Sequence, residues 1–220
     1  AYPAHRWVRL GGFSFQSVEL VKFAVMVWLA GFLALRIKQG TIADTNITIK
    51  PIIIALLAIG VAVTGVQSAL GSMGVLIAMM GAMAYVAGLP LKRILMFGGI
   101  IAIVLVLAIS AFPYRRERLV AFIHPEANCQ DAGYQACQAL IAVGSGGVVG
   151  LGLGSSVQAY GYLPEAANDS IFAIYAEKFG FLGSSLLLVI LMAFFSRLKN
   201  VIERTTDDFS RLIVVGVLAW

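Results

Sequence analysis

Apolar residues in this chain gather into long runs, and the positions between them collect short clusters of Lys, Arg, Gly and Pro. A bilayer core about 30 Å thick asks for roughly 20 apolar residues per crossing helix. Runs of that kind predict spanning segments near Ser14 to Leu35, Pro51 to Ser68, Met73 to Leu89, Ile94 to Phe112, Asp169 to Phe195, and from Phe209 onward. The expected fold is an all-α polytopic membrane protein, one membrane domain over residues 1–220 with about six spanning segments. The chain opens on Ala1 and its last apolar run is cut at Trp220, so it reads as an internal fragment. No signal peptide is expected, because the first apolar run is too long for a removable h-region.

Basic residues orient the segments. Arg36, Lys38 and Lys50 fall in the first connection, Lys92 and Arg93 in the third, and Arg197, Lys199, Arg204 and Arg211 in the fifth, which makes the odd connections cytoplasmic. The opposite face then receives a structured loop around Tyr2 to Gly12, the tight Gln67 to Ser72 turn, and a long extracytoplasmic loop of about Tyr114 to Asn168. That loop is too long for a plain connector and too rich in Gly, Tyr and Leu for disorder. Tyr134 to Val143 within it predicts a short amphipathic interfacial helix, followed by a Gly144 to Gly154 stretch that no regular helix favours.

Composition agrees: 60% hydrophobic residues, 12% charged residues and a mean hydropathy of +0.91 exceed what one soluble core could hide. The formal charge of +5 belongs with orientation and anionic headgroups rather than with nucleic acid.

Ionisable residues in the outer half mark candidate chemistry. Asp169 stands at the outer mouth of a segment, after Pro164-Glu165 and Asn168, where a carboxylate serves either as a general base or as a helix N-cap. Glu177 and Lys178 lie about 12 Å further down the same helix, facing protein or a wet cavity or forming a packed ion-pair site, and Gly180 and Gly183 allow a bend or close packing there. Glu19 and Lys22, spaced i, i+3, share a face and can neutralise each other. Arg115, Arg116 and Arg118 offer guanidinium forks to a lipid diphosphate, or anchor to headgroups. The glycine run suggests close packing more than a nucleotide cradle, since no βαβ unit surrounds it. Cys129 and Cys137 lie in the outer loop, where a disulfide can form. His124 alone completes no metal site, and His5 reads as surface.

Three stretches carry a resemblance: Ala139-Leu140-Ile141-Ala142-Val143-Gly144-Ser145-Gly146-Gly147, Gly150-Leu151-Gly152-Leu153-Gly154, and Tyr162-Leu163-Pro164-Glu165-Ala166. With Phe13-Ser14-Phe15-Gln16, Glu19 and Lys22, Tyr114-Arg115-Arg116-Glu117-Arg118, and Ile171-Phe172-Ala173-Ile174 with Glu177, they cover nearly the whole chain in order. The chain resembles the FtsW/RodA (SEDS) family, nearer to its FtsW branch. That resemblance implies a ten-helix membrane glycosyltransferase that polymerises lipid II into glycan strands during bacterial cell division, in the cytoplasmic membrane with its active site on the outer face. It implies Asp169 as the catalytic base. Substrate contacts are expected from Glu19, Lys22, Arg115, Arg116, Arg118, Glu165 and Glu177, and the leaving diphosphate needs positive charge from these cations or from a divalent cation. Implied partners are a class B penicillin-binding protein, other divisome membrane proteins and membrane lipids. Ala167-Asn168 replaces the family's His-Thr, Ser17 its Pro, and Ala69 an Asp. A lipid II flippase and a non-catalytic divisome scaffold are the rival readings.

Overall fold

The computed structural model describes residues 7–10, 13–67, 70–110, 120, 129–130, 133–164 and 168–220. Two strands, β1 (Trp7–Leu10) and β2 (Phe13–Gln16), pair antiparallel with Trp7 opposite Gln16 and Leu10 opposite Phe13. Seven helices follow among the described residues: α1 (Ser17–Lys38), α2 (Lys50–Gln67), α3 (Leu70–Val86), α4 (Leu91–Ser110), α5 (Tyr134–Gly146), α6 (Ile171–Arg204) and α7 (Asp208–Ala219). The fold is helical with one small hairpin, and the hairpin corrects the expected first segment. Residues 14–16 belong to β2, where Phe13 and Phe15 alternate with polar partners as a strand requires, and the helix starts at Ser17.

Chain contacts divide the molecule into two compact units, residues 1–101 with 195–220, and residues 102–194. In the first, α1, α3 and α7 share a core. On α1, Val18, Lys22, Val25, Met26, Leu29 and Leu33 recur at helical spacing and are buried. Val25, Met26, Leu29 and Leu33 share a core with Leu76, Met79 and Met83 of α3 and Leu212 and Val215 of α7, several of them fully enclosed. Between α1 and α2 a five-residue π turn, Thr45–Ile49, is capped by Asp44, whose carboxylate accepts from the N–H groups of Asn46 and Ile47 at 2.8 and 3.1 Å. Thr48, fully buried, donates to the Thr41 carbonyl at 2.8 Å. Arg93 at the start of α4 donates to the Ala43 carbonyl and ties that connection down.

Helix α6 runs nine residues past the expected Phe195, because Arg197, Lys199, Glu203 and Arg204 are good helix formers that extend an apolar helix into water. Asp207 caps α7; the backbone N–H and hydroxyl of Ser210 hold its carboxyl below the ordinary carboxylate range. By length and hydropathy, α1 and α6 are each able to cross a membrane.

Candidate active site

In the second unit the expected amphipathic helix forms as α5, three residues longer than its apolar pattern predicts. A Cys129–Cys137 disulfide staples the segment before α5 to its first turn, where Cys137 is buried. The Tyr134 hydroxyl donates to the Tyr162 carbonyl at 2.9 Å, and the Gln135 amide donates to the Ser170 hydroxyl at 3.2 Å. Ala142, Leu163, Ala173 and Ile174 close a small core between α5, the following loop and α6. The described part of the long loop is therefore packed against α5 and the start of α6.

Helix α6 is interrupted at Gly180 (φ 64, ψ −163), a backbone conformation that residues with a Cβ avoid. Such a break frees helical carbonyls and N–H groups that must find other partners. They find them in the glycine run. Leu151 N–H donates to the Glu177 carbonyl at 2.9 Å and Gly152 N–H to the Lys178 carbonyl at 3.0 Å. In return Phe181 and Leu182 donate to the carbonyls of Gly147 and Val148 at 2.9 and 3.1 Å. The loop thus plugs the break backbone to backbone. Gly150 makes this possible, since a Cβ there would overlap the Lys178 carbonyl. The glycine run is a packing device, and Gly180 is the bend that the sequence suggests.

One turn before the break, Glu177 is 1% exposed. Its Oε2 accepts from the Ser156 hydroxyl at 2.5 Å, and its Oε1 from the N–H groups of Val157 and Gln158 at 2.9 and 3.2 Å. This carboxylate holds the descending loop rather than facing open space or pairing with Lys178.

At the other end of this stretch, the Ser170 carbonyl accepts from Ala173 and Ile174, so Ser170 holds the N-cap position and Asp169 precedes it. Ser170 also donates to the Pro164 carbonyl at 3.4 Å. Asp169 is exposed, and no hydrogen bond or ion pair to its carboxylate occurs among the described residues. A free carboxylate is thereby presented next to a helix start that Gln135 and Ser170 fix.

In the first unit, Lys22 and Glu19 pair at 2.8 Å, and the Lys22 ammonium lies 5.0 Å from the centroid of the Trp220 ring. Lys22 is buried and Glu19 is half-exposed, an arrangement that satisfies the cation within the helix pair. Arg115, Arg116, Arg118 and Glu165 lie outside the described residues, as do Ala69, Ala167, His5 and His124. Among the described residues no cluster of three or more His, Cys, Asp or Glu could hold a metal ion. Gln135, Ser156, Gln158 and Ser170 shape this site without standing out in the sequence. Their only signal is polarity inside a glycine-rich apolar loop.

These features define a class: apolar helical proteins in which a long loop between two helices is built into a break of the second. The chain belongs to the FtsW/RodA/SpoVE family of cell cycle proteins, whose sequence profile matches residues 1–220. It is 40% identical to a relative from Saccharophagus degradans, over 97% of this chain and 55% of the relative. It is 34% identical to one from Dichelobacter nodosus, over 99% of this chain and 55% of that protein. To one from Mycobacterium tuberculosis it is 36% identical, over 97% and 40%. Each bears the name "Probable peptidoglycan glycosyltransferase FtsW". The chain thus spans about half the length of the curated relatives it matches. Its fold is similar to a chain in a structure titled for polymerisation and crosslinking by a peptidoglycan synthase complex, with TM-score 0.72 at 21% identity over 98% of this chain and 59% of that one.

Proposed function

We propose that the whole protein is a multi-pass membrane glycosyltransferase that polymerises lipid II, with Asp169 as its general base on the outer face. The observation that carries this reading is the exposed Asp169 carboxylate, without a partner among the described residues, at the fixed start of a membrane-length helix. Membership of the family and the names of its relatives support the substrate class.

The large apolar side chains of α6 beyond its break, among them Leu186, Ile190 and Phe194, are exposed, as expected of a helix that faces lipid or other membrane helices. Gly180 lies 11 residues beyond Asp169, about 16 Å along a helix, so a helix starting at the outer surface brings the break near the middle of a bilayer about 30 Å thick. Irregular backbone at that depth is tolerated only where protein or a cavity satisfies it, and the glycine run does so. The disulfide suits an oxidising, extracytoplasmic loop.

In the proposed reaction Asp169 takes the proton of an acceptor sugar hydroxyl as that oxygen bonds to the donor's anomeric carbon. The bond from that carbon to the lipid diphosphate breaks, and the diphosphate leaves with the electron pair. Arg115, Arg116 and Arg118 are the proposed counter-charges. Lys22 is already paired with Glu19. Glu177 acts as a positioning residue for the loop. A class B penicillin-binding protein is the proposed partner.

The break in α6 also favours a flippase reading, because transporters place discontinuous helices at their substrate sites. Here the freed backbone groups are already taken by the loop. Full-length protein with its transpeptidase partner, supplied with lipid II, tests the proposal: strands on a gel from wild type and none from Asp169→Asn is the expected outcome. Equal strands from both removes Asp169 as catalyst.

A further inference from the structure

Within the first unit, α2, α3 and the first half of α4 leave an apolar groove of about 370 Å³. Its walls are aliphatic and aromatic, with Ile53, Leu56, Met80, Ala84, Ile94 and Phe97 among them, and Arg93 is its one charged lining residue. Ile54, Leu57, Leu95 and Met96 are exposed on the same helices, an apolar surround that suits lipid rather than water.

The groove has a polarity. The first residue of α2 is the exposed Lys50, and the first turn of α4 carries exposed Lys92 and half-buried Arg93. Arg93 spends one N–H on the Ala43 carbonyl, which fixes the guanidinium at this end and leaves most of its five donors uncommitted among the described residues. An apolar slot ending in one fixed and two exposed cations matches a molecule with a long hydrocarbon chain and an anionic phosphate head.

We propose that this groove binds an anionic phospholipid of the cytoplasmic leaflet, with an acyl chain between α2, α3 and α4 and its phosphate on Arg93, aided by Lys92 and Lys50. The choice of leaflet rests on the membrane orientation proposed above, in which the basic connections are cytoplasmic. None of its residues belongs to the unit that carries Asp169, so it is a lipid site separate from the proposed chemistry.

Gly98 lines the groove, and a Cβ added there meets nothing within 4 Å. Gly98→Phe therefore fills the slot without a clash at its root, while Arg93→Gln removes the head contact. The test is native mass spectrometry of the full-length protein titrated with phosphatidylglycerol or phosphatidylcholine, with lipid II polymerisation measured in parallel. Wild type is expected to retain phosphatidylglycerol preferentially, Arg93→Gln to weaken that retention about fivefold, and Gly98→Phe to lose it, with polymerisation continuing in all three. Equal retention of the two lipids, undiminished retention by Gly98→Phe, or no retained lipid in wild type because the remaining part of the whole chain covers the groove would each overturn the proposal. Loss of polymerisation in wild type would instead count against the enzymatic reading alone.

Discussion

Glu177 shows how one buried carboxylate fixes a loop that begins more than twenty residues earlier. Its two oxygens take one hydroxyl and two backbone N–H groups, so its removal strands three donors at once, those of Ser156 and Gln158 buried. Glu177→Ala is expected to cost about 2 to 4 kcal/mol, and Glu177→Gln clearly less, because an amide oxygen still accepts from Val157 and Gln158. Thermal unfolding in detergent reads both, and equal losses would contradict the geometry. The depth of Glu177 along its helix is legible from residue spacing, but its partners are not. Ser156 to Gln158 are ordinary loop residues until the chain folds back. The same is true of Asp169: a cap and a base are both open in the sequence, and the Ser170 carbonyl's place as the first helical acceptor puts the N-cap at Ser170 rather than at Asp169.

At the scale of elements, α6 and the glycine run are two halves of one structure. The sequence suggests a bend at Gly180 and close packing by the run, but their mutual hydrogen bonding depends on tertiary register. Gly150 has φ 86, and a Cβ there would strike the Lys178 backbone, so Gly150→Ala is expected to destabilise by at least about 2 kcal/mol. Gly144, helical with open space around it, is the contrast: Gly144→Ala should stabilise by about 0.5 to 1 kcal/mol. Unfolding midpoints moving the same way for both would contradict the plugged break. The Cys129–Cys137 link closes a short loop, so Cys129→Ser with Cys137→Ser should cost about 2 to 3 kcal/mol, and reductant should lower the midpoint of wild type but not of the double variant. The β1–β2 hairpin is the element the apolar runs conceal, since its strands are four residues each and the second runs into α1 with no residue between them. Gly11-Gly12 between aromatic-rich flanks is the signal that was available.

For the whole molecule, apolar runs and basic clusters predict where helices begin and end to within about three residues, the C-terminal end of α6 excepted, because membrane-length helices are dictated by hydropathy more than by partners. What stays illegible is everything that needs two distant segments together. The proposed orientation makes a specific expectation: a single cysteine at Tyr160 should react with a membrane-impermeant maleimide added to intact cells, and one at Lys50 only after permeabilisation. The reverse pattern would invert the topology and remove Asp169 from the outer face. The most direct test of the central claim remains lipid II polymerisation by the full-length protein with its transpeptidase partner, comparing wild type with Asp169→Asn at matched folding. Glycan strands from wild type and none from the variant is the predicted result; strands of equal length and yield from both would contradict it.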